Sequence, residues 1–130
     1  MTQEEAFKQG KVPDPLPDGF LKGSAGKYQG GWQGKEFNRK DSTGINIFNA
    51  GGKKERKYPF KTYIGESLLV KGLKVLKIDY NLPENAFWVR WILDEIVETS
   101  SNHYLGKIHL RFLGIKFALG YFKLEKITSA

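Results

Sequence analysis

Gly30-Gly31-Trp32-Gln33-Gly34-Lys35-Glu36-Phe37 sets a tryptophan between glycines at the start of a stretch that reads as a β-strand. An indole is large and stiff, whereas glycine has no side chain and lets neighbouring backbone come close or bend sharply. The combination suits a strand entering a small, tightly closed β-barrel, with Trp32 plugging one end.

The chain on either side keeps a period close to two. Segments 20–25, 31–38, 45–49, 58–64, 73–80, 94–99, 104–112 and 116–125 read as strands, bounded by turn formers such as Asp41-Ser42-Thr43-Gly44, Gly51-Gly52 and Ser100-Ser101-Asn102. Short connections between so many strands imply an antiparallel meander. Eight is the number at which a closed barrel can just fill with side chains or hold one small ligand. Closure also hides the strand edges. A flattened sandwich is the competing architecture.

Within these strands the alternation is informative. Leu76, Ile78 and Tyr80 form one face against Lys77 and Asp79, and Ile108, Leu110 and Phe112 form one face against Lys107, His109 and Arg111. Phe117-Ala118-Leu119-Gly120-Tyr121-Phe122 is apolar on both faces and therefore calls for cover on both. One segment departs from the period. Trp88, Trp91 and Ile92 recur at helical spacing after Pro83-Glu84-Asn85, so a short helical turn is expected near 86–93, lying across a barrel opening as a lid or sealing the core.

The first residues form an extension. Thr2-Gln3-Glu4-Glu5 is a capping-box pattern for a short helix ending near Gly10, which needs Phe7 packed on the body to hold it. Pro13, Pro15 and Pro17 then force an extended, ordered arm. Residues 1–19 are thus an extension and 20–126 the barrel domain.

Composition bounds the function. With 40% apolar and 14% aromatic residues the chain can build a core, and with no cysteine it has neither disulfides, thiolate metal sites nor a cysteine nucleophile. Acids at the amino terminus stand where a secretory signal would be basic, and no apolar run approaches the ~20 residues of a spanning helix, so a cytoplasmic protein is expected. The net charge of +7 is spread along the chain. Only Lys53, Lys54, Arg56 and Lys57 form a dense cluster, which reads as a solvated loop, with transient contact to anionic surfaces as the alternative and no specific nucleic-acid partner.

The element Gly30-x-Trp32-x-Gly34-Lys35-x-Phe37 resembles the signature of the GXWXG family and, more broadly, the glycine-x-tryptophan strand that opens calycin barrels such as lipocalins, fatty-acid-binding proteins and nitrobindin-like haem proteins. Tyr104-Leu105-Gly106-Lys107 and the aromatic 117–122 are similar to the second half of GXWXG-type proteins. The resemblance implies an all-β fold, a single antiparallel calycin-like barrel of about eight strands, and an interior that binds small molecules. It is nearly silent on which molecule.

Chemical motifs are sparse. His103 and His109 are the only histidines and lie too far apart along one strand for a joint metal site. A haem of the nitrobindin type would need His109, and otherwise no cofactor is expected. Asp79, Asp94, Glu95, His109 and Arg111 fall on neighbouring strands and are expected to alternate outward into water. The expected function is binding of a small hydrophobic molecule, a fatty acid, isoprenoid or polyketide, with Trp32, Tyr63, Trp88, Trp91, Phe117 and Tyr121 as walls and Arg111 or His109 anchoring a polar head. A non-hydrolytic cyclase or isomerase in the same cavity and a filled barrel acting through its surface are the alternatives, and no catalytic residue is singled out.

Overall fold

A computed structural model describes residues 1–27 and 30–128. A short helix α1 (Gln3–Gln9) precedes the strands β1 (Gly19–Ser24), β2 (Trp32–Asn38), β3 (Thr43–Ala50), β4 (Lys53–Glu66), β5 (Lys74–Asp79), β6 (Ile92–Ser100), β7 (His103–Phe112) and β8 (Ile115–Glu125). Each strand pairs antiparallel with the next, and β8 returns to β1, closing an eight-stranded barrel as the period-two pattern predicted.

Strand alternation sorts the side chains into two layers. Leu21, Phe37, Phe60, Ile78, Ile96, Phe122 and Leu124 meet inside the barrel. Their strand neighbours Val75, Val97 and Leu105 face outward and are covered by Phe7 of α1, which is wholly buried. The helix forms as its sequence dictates. Thr2 Oγ1 accepts from the Glu5 backbone N–H at 3.1 Å and donates to the Glu5 carboxylate at 3.0 Å, and Phe7 supplies the packing that a single pair of turns lacks on its own.

The proline arm crosses one end of the barrel. Lys11 pairs with Glu98, Pro13 and Pro17 are buried, and Arg39 binds the Leu16 carbonyl through Nε at 2.8 Å. Among the described residues no such strap crosses the opposite end, where β3 turns into β4, β5 leads to β6 and β7 turns into β8.

Two local features differ from the sequence expectations, and an expected turn takes its bounds. The cluster Lys53, Lys54, Arg56 and Lys57 is strand rather than loop, because Gly51 and Gly52, with φ of 60° and 82°, make a two-residue hairpin turn and Lys53 already pairs with Ala50. The short helical turn expected near 86–93 is present as one 3-10 turn, Val89–Trp91, which ends where Ile92 joins the ladder opposite Leu110. Finally, β2 carries a bulge at Gln33. Trp32 pairs with Phe48 while Gly34 pairs with Ile47, so Trp32 and Lys35 both turn inward where strict alternation would place them on opposite faces. Only glycine serves at 34: its φ is 146°, and a Cβ there would lie 2.0 Å from the Leu21 carbonyl oxygen.

Candidate functional site

The inward turn of Lys35 builds the site. Its ammonium sits among the rings of Trp32, Phe60, Tyr80 and Phe122 at 5.2–5.6 Å and donates to Asn46 Oδ1 at 2.9 Å, Tyr80 Oη at 2.5 Å and Asp94 Oδ2 at 3.1 Å. All three N–H groups are thereby engaged. Asn46 also accepts from the Trp32 indole at 3.0 Å and donates to Tyr80 at 2.9 Å and to the Tyr58 carbonyl at 3.1 Å. Tyr80 in turn donates to Asp94 Oδ2 at 3.2 Å.

Burial fixes the protonation of this cluster. Desolvation pulls the Lys35 pKa down, while the Asp94 charge and hydrogen bond pull it back up. Desolvation and the negative charge of Asp94 push the Tyr80 phenol well above its ordinary value, so it is a permanent proton donor at neutral pH. One oxygen stands outside the network. Asp94 Oδ1 is buried and has no hydrogen-bond partner among the described residues.

Asn46, Tyr80 and Asp94 line the floor of a cavity of about 240 Å³ whose apolar walls are Phe48, Val89, Ile92 and Ile108 and whose mouth is framed by Tyr58 and Trp88. Tyr58 is held in the left-handed region, φ 58°, at a bulge in β4, and its ring packs edge-on against Phe48 and Trp88. The cavity opens at the unstrapped end of the barrel.

The residues expected to line an interior site are distributed differently. Trp32 is inside, behind the polar cluster, and Trp88 is at the mouth. Trp91 lies outside the cavity, stacked on Phe112 at 3.9 Å between ring centres. Tyr63, His109, Arg111 and Tyr121 face away from the interior because they alternate with inward neighbours such as Thr62, Ile108 and Phe122. Phe117 is 43% exposed on the β7–β8 hairpin.

The polar outer face is not solvated as expected. Arg111 binds Asp79 at 2.5 Å, and Tyr63 donates to the same carboxylate at 2.7 Å. Glu95 is fully buried, held by Ser67 Oγ at 2.6 Å, the Leu68 N–H at 2.7 Å and Lys77 at 3.1 Å. His109 is fully buried beside it, with Nδ1 donating to the Leu93 carbonyl at 3.2 Å and Nε2 3.8 Å from Glu95. Burial holds this imidazole below its ordinary pKa, against the pull of Glu95. The packing leaves His109 no open face for a haem. Of the carboxylates expected to point outward, Asp94 alone points in, because it is the register partner of the inward pair Ile78 and Ile108. Among the described residues no group of three or more His, Cys, Asp or Glu side chains is arranged to hold a metal ion, and no helix is long and apolar enough to cross a membrane.

Sequence reasoning missed Lys35, Asn46 and Tyr80 as site residues. Lysine is ordinarily solvated, and only the bulge turns this one inward. The signal was Gly34: a glycine inside a strand pattern marks a bulge or a close backbone approach, and here it marks both. Comparison with family models, curated proteins and solved structures finds no match for the chain.

Proposed function

We propose that the barrel binds a small, mainly apolar molecule whose head group donates a hydrogen bond to Asp94. The observation that carries this reading is Asp94 Oδ1, without a partner among the described residues, on a residue lining a cavity whose walls are apolar. A buried carboxylate oxygen without a donor is costly, and a ligand hydroxyl or N–H would relieve that cost. A fatty-acid anion would add a second negative charge at the same place, so the preferred ligands are an isoprenoid alcohol or a phenolic, polyketide-like molecule. The cavity is smaller than the roughly 300–1,000 Å³ that accommodates drug-sized ligands. The head and a few carbons are therefore enclosed, and a longer tail leaves past Trp88.

Binding accounts for the site better than a cyclase or isomerase does. A reaction of that kind that develops an oxyanion needs a free donor aimed at it. The three protons of Lys35 and the one of Tyr80 are already committed inside the cluster. Kinship with GXWXG-type and calycin barrels is part of the same proposal, supported by the closed eight-stranded barrel and by the structural use of Trp32 and Gly34.

Calorimetric titration with a medium-chain alcohol, its isosteric methyl ether and the carboxylic acid of equal length tests the reading. The alcohol should bind about tenfold or more tighter than the ether, the size of a hydrogen bond to a charged acceptor. An ether that binds as tightly as the alcohol, an acid that binds more tightly, or no binding by any of the three overturns it.

A further inference from the structure

The unstrapped end of the barrel has a second character that the cavity does not use. β8 pairs with β1 only through Lys123–Glu125, so among the described residues its first half hangs on β7 alone, and beyond Leu110, the last β7 residue paired with β6, the two strands project as a two-stranded ribbon. The tip of that ribbon is apolar and bare: Leu113 and Ile115 are 84% and 62% exposed, and Leu119, further down β8, is 55% exposed. Leu113 occupies a left-handed turn position, φ 50°, where the other hairpins place Ser42, Gly51 and Asn102. A leucine is locally unfavourable there and buries nothing, so folding does not account for it. Across from the tip, Phe87 and Trp88 are 69% and 51% exposed, and a groove of about 460 Å³ runs between Phe87 and the ribbon, walled by Trp91 and Phe112 and carrying Arg90 and Arg111.

Charge is polarised towards the same end. Lys27, Lys53, Lys54, Lys57, Arg90 and Lys116 all lie on its connections or beside them and are exposed, against Glu55 and Glu84. The strapped end instead carries Asp14, Asp18, Asp41, Glu66, Glu98 and Glu125 among its lysines. A bare apolar tip inside a cationic collar is the arrangement that a membrane interface rewards: aliphatic and aromatic side chains enter below the headgroups while lysine and arginine stay level with them. A second copy of the chain would bring two cationic collars together, and a nucleic acid would leave the apolar tip in water.

We infer that this end docks on an anionic phospholipid bilayer, with Leu113 and Ile115 inserted and the groove beside Arg90 receiving a lipid phosphate. The collar adds long-range attraction, and the tip adds the short-range hold. The inference stands independently of which molecule the cavity binds. It places the cavity mouth, at Trp88, against the source of an apolar ligand.

Co-sedimentation of the full chain with unilamellar vesicles tests it. The protein should pellet with vesicles of phosphatidylcholine containing one third phosphatidylserine, remain soluble with phosphatidylcholine alone, and be released by high salt but not by millimolar inorganic phosphate at constant ionic strength. Lys53→Glu/Lys54→Glu and, separately, Leu113→Asp should each weaken the partition about tenfold or more, with thermal melts matching the parent because these side chains bury nothing. Brominated phospholipid should quench the tryptophan emission of the unmodified protein. The inference is overturned by any of four results: failure to pellet with the anionic vesicles, undiminished partition of Leu113→Asp, displacement from vesicles by short duplex DNA, or a dimer in sedimentation equilibrium that Leu113→Asp dissociates.

Discussion

Lys35 and Asp94 show what a single bulged residue can do. Gln33 is the extra residue that turns Lys35 into the core, and Asp94 is the charge that makes a lysine tolerable there. Replacing Asp94 by Leu leaves an uncompensated buried ammonium and should cost about 3–5 kcal/mol in urea unfolding at neutral pH. The double variant Lys35→Met/Asp94→Leu should recover most of that loss, since well-packed apolar residues often replace a buried ion pair without penalty. The single variant also has a pH signature of fixed sign. Burial already lowers the Lys35 pKa, and removing Asp94 takes away what raises it. Between the variant's folded pKa and the higher, still depressed folded pKa of the parent, only the variant binds fewer protons folded than unfolded, so the deficit of Asp94→Leu should shrink as pH rises through this window and level off above it. A deficit that stays constant up to pH ~10 would mean that Lys35 is not the group left charged. At this scale the sequence was least legible. Trp32 was visible because no other residue looks like it, but Lys35, Asn46 and Tyr80 look like ordinary strand residues until the register is known. The reverse holds for His109 and Arg111, whose chemistry drew attention although simple alternation with Ile108 already turned them outward.

Elements were far more legible than residues, because hydrophobic period and turn chemistry act locally. All eight strands follow from the alternation, and α1 follows from Thr2, Glu5 and Phe7. What local pattern could not supply was the use of the outer face. The apolar reverse of 117–122 is covered only where Tyr121 meets Phe7, at 6.4 Å between ring centres, and the strands' charged reverse is covered by α1 through Glu4, which binds Lys107 at 2.9 Å and Tyr121. This seam between helix and barrel should open in acid. The hydrogen bonds from Tyr121 and Lys107 hold the Glu4 carboxyl below its ordinary pKa, and burial, with the Glu4 contact adding to it, pushes the Tyr121 phenol up to about 12. A carboxylate whose folded pKa is depressed contributes its stability above its unfolded value and loses it as pH falls through the folded one. Between about pH 6 and pH 3, amide exchange across Gln3–Gln9 should therefore accelerate beyond its intrinsic pH dependence while the β6–β7 amides stay protected. Glu4→Gln should remove that extra acceleration. An identical profile in Glu4→Gln would assign the anchoring of α1 to Phe7 alone.

The whole molecule is a closed cylinder with unequal joints. β7 pairs with β8 along nearly the full length of both, from His103 opposite Glu125 to Phe112 opposite Ile115, whereas β8 meets β1 only across Lys123–Glu125 and Lys22–Ser24. A short ladder gives up fewer bonds when it opens, so this joint is the place where the cylinder should breathe first. Trp32 lies across it from the inside. A Cβ on Gly23 of β1 would fall 2.4 Å from the indole, and the same ring meets Phe122 of β8 edge-on at 5.7 Å while its N–H holds Asn46. The tryptophan between glycines is thus the internal staple of the weakest joint, and Gly23 and Gly34 are small because the staple and the crossing backbone occupy their Cβ space. Native-state hydrogen exchange should rank the amides of Gly23 and Ser24 as the least protected in the barrel and those of Tyr104–Ile108 as the most. Trp32→Phe should widen the gap, speeding exchange at the joint about tenfold or more, the effect of losing about 1.4 kcal/mol of packing and hydrogen bonding there, while Tyr104–Ile108 slow or speed only with global stability. Joint amides as protected as those of β7, or a uniform acceleration in Trp32→Phe, would show that the cylinder opens as one unit and that Trp32 stabilises the core at large rather than the closure.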